Sequence, residues 1–392
     1  MRSQLTSIPL LSYGFRPFFL GAAVWAPVAM ILWIGTMVGR FDLVSVYGAV
    51  AWHAHEFLFG YLAATVAGFL LTAAPNWTGR RPITGAPLLG LFTLWFAGRV
   101  ALLAINQLGL TAVVVDSLFL FMIAFVVGWE IIAAKNWRNL RIVLLVIALA
   151  LSNVLYHLEV IRTGSPALAI RVSLSVIVTL IMVIGGRLAS SFTRNWLISR
   201  KAQRYPALFD RIDAAAIAIG IASLAIWITM PDQTVAGLAL LGSAAAQTVR
   251  LARWRGTTTW REPLVLILHV GYAFIPLGFL TAGMSVLWPD ILAPSAALHA
   301  WTAGAVGVMT LGVMTRVSLG HSGRALTASR ATIVIYVAIV LAAIMRVIAP
   351  LCGSMLLMLV ASAVAWTIAF LGFVVFYGRF LVKARADGHG TC

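Results

Sequence analysis

Residues 52–74 read WHAHEFLFGYLAATVAGFLLTAA. The only acidic residue of this stretch is Glu56, and the stretch contains no lysine or arginine. A helix needs about 20 mainly apolar residues to cross the hydrocarbon core of a bilayer. Apolar residues occupy every face of this helix rather than one stripe, which is typical of a segment surrounded by lipid and other helices. The stretch therefore predicts a membrane-spanning helix.

Similar segments recur along the whole chain, which has 62% apolar and only 10% charged residues. Soluble domains carry about 25% charged residues. The alternating pattern of a transmembrane β-barrel is absent. We therefore predict an all-α polytopic membrane bundle of about twelve transmembrane helices. Their predicted ranges are 17–39, 52–74, 86–106, 111–134, 140–161, 167–187, 212–230, 234–252, 263–287, 292–315, 331–350 and 354–381.

The basic residues predict the orientation of these spans. The N-terminus and every second loop from there onward hold 23 of the 28 Lys and Arg residues, the other loops hold four, and Arg99 lies inside a span. Because short cytoplasmic loops are enriched in Lys and Arg, this asymmetry predicts that both termini face the cytoplasm. It also accounts for the net charge of +17 without a nucleic-acid partner, so the bilayer itself is the expected partner.

We predict a single integral membrane domain covering 1–392. The longest loop divides it into two six-span halves, 17–187 and 212–381, joined by a basic cytoplasmic loop over 188–211. The segment from Gly60 through Ala64 to Gly68 presents small residues at steps of four, a pattern that lets two membrane helices approach closely.

Most ionisable residues of the spans lie in the outer half of the membrane once the orientation sets their depth. They are His53, His55, Glu56, Arg99, Asp116, His157, Glu159 and His299, while His269 lies further inward. Ionisable groups inside a bilayer are costly and usually face a partner or a cavity. Neutral imidazole is a common ligand of metals and haem iron. The cluster therefore predicts a metal or haem site.

We assign these residues three expected roles. The expected metal ligands are His53, His55, His157, His269 and His299, and the expected cofactor-binding residues are His53, His157, His299 and Arg99. Glu56, Asp116 and Glu159 are expected to orient the ligand imidazoles by hydrogen bonds.

Alternatives stay open for several of these residues. His53 and His55 can instead be interfacial, and the three acids can serve hydration at the membrane surface. Arg99 can form a structural pair with Asp116 or grip a haem propionate. The i, i+2 spacing of His53 and His55 also turns them about 200° apart on a helix, so one metal would not reach both unless the helix is unwound.

Several motifs resemble those of the NnrS family. They are YGFRPFFLG at 13–21, WHAHEFLFGY at 52–61, GFLLTAAPNWTG at 68–79, AGR at 97–99, HAWTAG at 299–304, MTR at 314–316 and GHSGR at 320–324. The resemblance extends over the whole chain and implies a twelve-span protein of the bacterial inner membrane. It also implies bound haem and copper and a link to the nitric oxide response and denitrification. No Cys-x-x-Cys-His motif is present, so the implied haem is a non-covalent haem b.

Three functions are consistent with the sequence. The first is a haem- and copper-binding protein that binds or detoxifies nitric oxide and protects against nitrosative stress. If it turns over, it needs an electron donor that the sequence does not identify, and no catalytic residue is assigned. The second is a secondary transporter of a metal or small anion, in which Glu56, Asp116, Glu130 and Glu159 relay protons. The third is a non-catalytic accessory protein of respiratory or denitrification complexes.

Overall fold

The computed structural model describes residues 8–40 and 46–387 and confirms the predicted all-α fold. The described residues contain no β-strand, and twelve helices are long and apolar enough to cross a membrane. These are α1 (Phe15–Met37), α2 (Gly48–Thr78), α3 (Gly85–Leu103), α4 (Leu110–Ala133), α5 (Trp137–Thr163), α6 (Ala167–Ser199), α7 (Arg211–Thr229), α8 (Thr234–Ala252), α9 (Pro263–Leu287), α10 (Pro294–Gly320), α11 (Arg330–Leu351) and α12 (Met355–Val382).

Some helices extend beyond the apolar runs that predict them. The α6 helix continues to Ser199 instead of ending at 187, so the helix covers half of the predicted loop 188–211. This extension includes Ser190, Thr193 and Arg194, whose side chains are too polar for an apolar run although their backbones continue the helical hydrogen bonds. The α2 helix likewise begins at Gly48 rather than 52, and α10 ends at Gly320 rather than 315.

Three of the twelve helices contain a π-helical segment. These segments are Glu56–Tyr61 in α2, Ile181–Gly185 in α6 and Ala300–Val308 in α10. The first directly follows His55 and the third directly follows His299. Such insertions re-aim side chains and frequently occur at functional sites.

The chain forms two compact units. One consists of the described residues of Met1–Ser173, Arg316–Leu326 and Phe370–Cys392, and the other of Leu174–Thr315 and Thr327–Ala369. The first unit contains α1 to α5, and the second contains α7 to α9 and α11.

Close helix packing in the first unit follows the predicted seam of small residues. A Cβ atom on Gly68 would lie 2.8 Å from the ring of Phe19 in α1, so only hydrogen fits there. In the second unit, a Cβ atom on Gly283 of α9 would lie 2.9 Å from the backbone oxygen of Gly237 in α8. Small residues therefore bring neighbouring helices into contact in both units, as expected for membrane bundles.

Candidate metal centre

A buried ion-pair network lies at the centre of the first unit. Arg99 of α3 donates one hydrogen bond from NH1 to Glu56 Oε2 at 2.7 Å and another from NH2 to Asp116 Oδ1 of α4. Glu56 is fully buried, and Arg99 and Asp116 are each 2% exposed. The indole of Trp25 in α1 donates to the same Glu56 oxygen at 2.7 Å. Four helices therefore meet at this network.

Gly60 provides the space that this network needs. A Cβ atom at that position would lie 2.7 Å from both Arg99 NH1 and Glu56 Oε2. The backbone oxygen of Gly60 also accepts a hydrogen bond from the Trp95 indole at 2.9 Å. The small residue predicted as part of a helix-packing seam thus makes room for a guanidinium group.

Asp116 connects the ion pairs to two histidines. Its Oδ2 atom lies 2.9 Å from His157 Nε2 and 3.2 Å from His55 Nε2. Asn153 donates to the same oxygen at 2.8 Å, and its own side-chain oxygen lies 2.9 Å from His55 Nε2. One nitrogen or oxygen from each of His55, Asp116 and His157 lies within 4.8 Å of the others, so these three residues can hold a metal ion.

The second nitrogen of each imidazole faces a polar group. His157 Nδ1 makes a short hydrogen bond with the hydroxyl of Tyr47. His55 Nδ1 lies 3.5 Å from Glu56 Oε1, and neither atom has a hydrogen-bond partner among the described residues. An imidazole that binds a metal through Nε2 carries its proton on Nδ1, where it needs an acceptor. The hydroxyl of Tyr47 and the carboxylate of Glu56 are in place to be these acceptors.

The formal charges of this site do not cancel. Glu56 and Asp116 carry two negative charges, Arg99 carries one positive charge, and the two histidines are neutral as metal ligands. Uncompensated charge is costly in a buried site, and either a bound cation or a proton on one imidazole would offset this charge of −1. Burial and the negative charges of Asp116 and Glu56 raise the pKa of Tyr47, which keeps its hydroxyl protonated.

Two other predicted site residues of the first unit lie outside this group of contacts. The His53 ring stacks on Trp33, with centroids 4.0 Å apart, and is partly exposed. Glu159 accepts hydrogen bonds from the backbone amides of Leu168 and Ala169 at 3.0 and 2.8 Å, at the start of α6. Its carboxylate therefore caps a helix.

The remaining two predicted ligands belong to the second unit. His269 Nε2 lies 2.7 Å from the hydroxyl of Thr193, and its Nδ1 has no hydrogen-bond partner among the described residues. His299 Nδ1 lies 2.7 Å from the backbone oxygen of Ser295. Because a carbonyl oxygen only accepts, that nitrogen carries the proton and His299 Nε2 keeps its lone pair.

Sequence reasoning missed three residues of the centre. Asn153 had a usable signal, because it is a polar residue of an apolar span and lies one helical turn before His157. The sequence does not indicate that Trp25 belongs to the centre, since tryptophans of membrane proteins are usually interfacial anchors. Tyr47 precedes α2 in a loop, where spacing says nothing about contacts.

Comparison with known proteins identifies the family. No curated protein matches the chain. The family model described as NnrS protein matches residues 9–385, which is nearly the whole chain and includes every residue of the centre. The twelve helices agree with the fold that the sequence motifs imply. The chain belongs to the NnrS family.

Proposed function

We propose that this protein binds copper at His55, Asp116 and His157 and takes part in the nitric oxide response of the bacterial inner membrane. The observation that carries the proposal is the group of two buried imidazoles around a buried carboxylate. Membership of the NnrS family supports the link to nitric oxide.

The donor set suits copper. Imidazole nitrogen binds copper, zinc, iron and nickel, and among divalent first-row metals a given site generally binds copper most strongly. The unpartnered His55 Nδ1 and Glu56 Oε1 atoms also fit a bound metal, since metal binding at Nε2 places a proton between them. Bound copper would supply a redox-active centre for a diatomic ligand such as nitric oxide.

The surrounding residues have separate tasks in this proposal. Arg99 holds the carboxylates of Glu56 and Asp116 in place and offsets one of their charges. Tyr47 and Glu56 fix the orientation of the two imidazoles through Nδ1. The apolar helices exclude bulk water, while nitric oxide, which is small and weakly polar, reaches the centre through the lipid.

We further propose a haem b site that uses His299. Its Nδ1 atom donates to the carbonyl of Ser295, so the Nε2 lone pair would be available to bind haem iron. Bound haem would supply a second centre for nitric oxide. The expectation that His53, His157 and Arg99 bind a cofactor stays a separate prediction for the first unit. The two terminal nitrogens of Arg99 already donate to carboxylates, so the structural pair accounts for them.

Metal and haem analysis of the protein purified from copper- and haem-replete cells tests the proposal. We expect copper in wild-type protein, its loss in His157→Ala and its retention in His321→Ala, a histidine outside the centre. Haem content, measured as its pyridine complex, should fall in His299→Ala and not in His321→Ala. A colourless wild-type protein without copper, or zinc in place of copper, would refute the assignment.

The transporter and accessory functions have their own tests. The π-helical segments do not break α2, α6 or α10, which stay helical from end to end. Substrate-dependent flux in proteoliposomes from a preparation without chromophore would favour a transporter. Stable co-purification of a respiratory complex would favour an accessory protein.

A further inference from the structure

Three arginines converge on Phe380, near the end of α12. The guanidinium carbon of Arg324 lies 4.1 Å from the centre of the Phe380 ring, and that of Arg379 lies 4.8 Å from it. Arg16 NH1 is 3.5 Å from the backbone oxygen of Phe380. All of these residues belong to the first unit. We refer to Arg16, Arg324, Arg379 and Phe380 as the arginine cluster.

The arginine cluster has no anionic partner among residues 8–40 and 46–387. No carboxylate in that part of the chain forms a salt bridge with Arg16, Arg324 or Arg379. The nearest acid along the chain, Asp387, is bound by both Nε and NH2 of Arg385, at 3.0 and 2.6 Å. Within the described residues, three guanidinium groups therefore surround one ring with no carboxylate at salt-bridge distance from any of them.

Arg16 also shows that the cluster extends into the protein. It is only 1% exposed, and NH1 donates to the backbone oxygens of Leu381 and Lys383 at 3.0 and 2.6 Å. These bonds cap the carbonyl end of α12. The Nε atoms of Arg16 and Arg324 are buried and have no hydrogen-bond partner among the described residues. Two unused donors thus lie beside a cationic surface.

A second contact holds the chain after α12 against the loop that carries Arg324. The backbone amide of Ala386 donates to the Ser322 oxygen at 3.0 Å. Gly323 has φ +71°, and a Cβ atom there would lie 2.6 Å from the Asp387 carboxyl carbon. The loop and the chain end therefore pack together, which fixes Arg324 beside Phe380.

The cluster lies at the ends of three helices that are long enough to cross a membrane. Arg16 is the second residue of α1, Phe380 is near the last residue of α12, and Arg324 follows the end of α10. Basic pockets at the ends of membrane helices bind phosphate-containing headgroups, and guanidinium groups bind phosphate oxygens in pairs. We propose that the arginine cluster binds the phosphate of an anionic phospholipid.

Lipid binding by purified protein tests this site without any measurement of copper or haem. Native mass spectrometry should show that wild-type protein retains phosphatidylglycerol in preference to zwitterionic phosphatidylcholine. Arg324→Gln and Arg379→Gln should each weaken phosphatidylglycerol binding by about fivefold, the contribution of one basic side chain near an anionic surface. Arg324→Lys should keep most of the affinity because the charge stays. Arg16 is left intact because it caps α12.

The matched control is Arg138→Gln, which removes an exposed charge at the start of α5 and should leave lipid retention unchanged. Melting temperatures show that each variant is folded. Equal retention of the two lipids by wild-type protein, or equal loss in Arg138→Gln and Arg324→Gln, would overturn the proposal. Displacement of phosphatidylglycerol by millimolar inorganic phosphate would also overturn it, and would assign the site to free phosphate.

Discussion

The substitution Glu56→Gln separates a metal centre from a purely structural ion pair. Gln has nearly the same shape, so Trp25 can still donate to the side-chain oxygen that it contacts at 2.7 Å. The change removes one negative charge, so that with both imidazoles neutral the formal charge that a cation would offset rises from −1 to zero. It also replaces the carboxylate that faces His55 Nδ1 at 3.5 Å.

Loss of a residue that orients a metal-binding histidine lowers metal affinity by about 10- to 100-fold. The corresponding loss of binding free energy is about 1.4–2.7 kcal/mol. The assay is a competition titration of copper against a chelator of known affinity, in detergent at constant pH. We expect this weakening in Glu56→Gln together with a folded protein that keeps its helical circular dichroism.

Glu130→Gln is the matched control for this experiment. Glu130 pairs with Arg80 away from the histidines, so the same chemical change there should leave copper affinity unchanged. Copper affinity in Glu56→Gln equal to that of the wild type would refute the argument that the charge and position of Glu56 support a metal at His55.

Three further substitutions test other contacts of the first unit. Gly60→Ala would bring a Cβ atom within 2.7 Å of Arg99 Nη1 and should destabilise the protein by about 1–3 kcal/mol. In the control variant Gly90→Ala, the new Cβ atom meets no other atom within 4 Å, so stability should not fall. Thermal unfolding measures the stability of both variants. Tyr47→Phe removes the hydroxyl that contacts His157 Nδ1 and should lower copper affinity about tenfold; an unchanged titration would show that this contact does not orient the ligand. Glu159→Ala removes the acceptor at the start of α6 and should cost about 1 kcal/mol of stability while copper content stays constant; a loss of copper would place Glu159 in the centre.

The sequence was sufficient to predict the fold because apolar length decides which segments cross a bilayer. All twelve spans are present in the structure, and the errors lie at polar helix ends such as the extension of α6 to Ser199. The sequence criterion measures how readily side chains transfer from water into the membrane, whereas a helix ends where its backbone hydrogen bonds end.

The candidate site was only partly predictable, because orientation gives the depth of a residue but not the direction in which it faces. His53 and His55 have nearly the same predicted depth in the membrane. In the structure, however, only His55 contacts Asp116, while His53 stacks on Trp33. The i, i+2 spacing already indicated opposite directions. Partners from other helices, such as Asn153, depend on tertiary packing that a single sequence does not reveal.

The glycine at position 60 illustrates how one residue can satisfy two requirements. Its spacing with Ala64 and Gly68 predicts close helix packing, and the structure places Arg99 and Glu56 against it. The π-helical segment Glu56–Tyr61 of α2 begins at the acid itself. A packing motif and an ion-pair site thus share the same turn of helix.

Electron paramagnetic resonance of the copper(II)-loaded protein identifies the ligands of the metal in the first unit. We expect coupling to two histidine nitrogens in the wild type, the loss of this signal in His157→Ala and in His55→Ala, and an unchanged signal in His53→Ala. Three or more coupled nitrogens, or a wild-type spectrum in both His55→Ala and His157→Ala, would contradict a copper centre built from His55, Asp116 and His157.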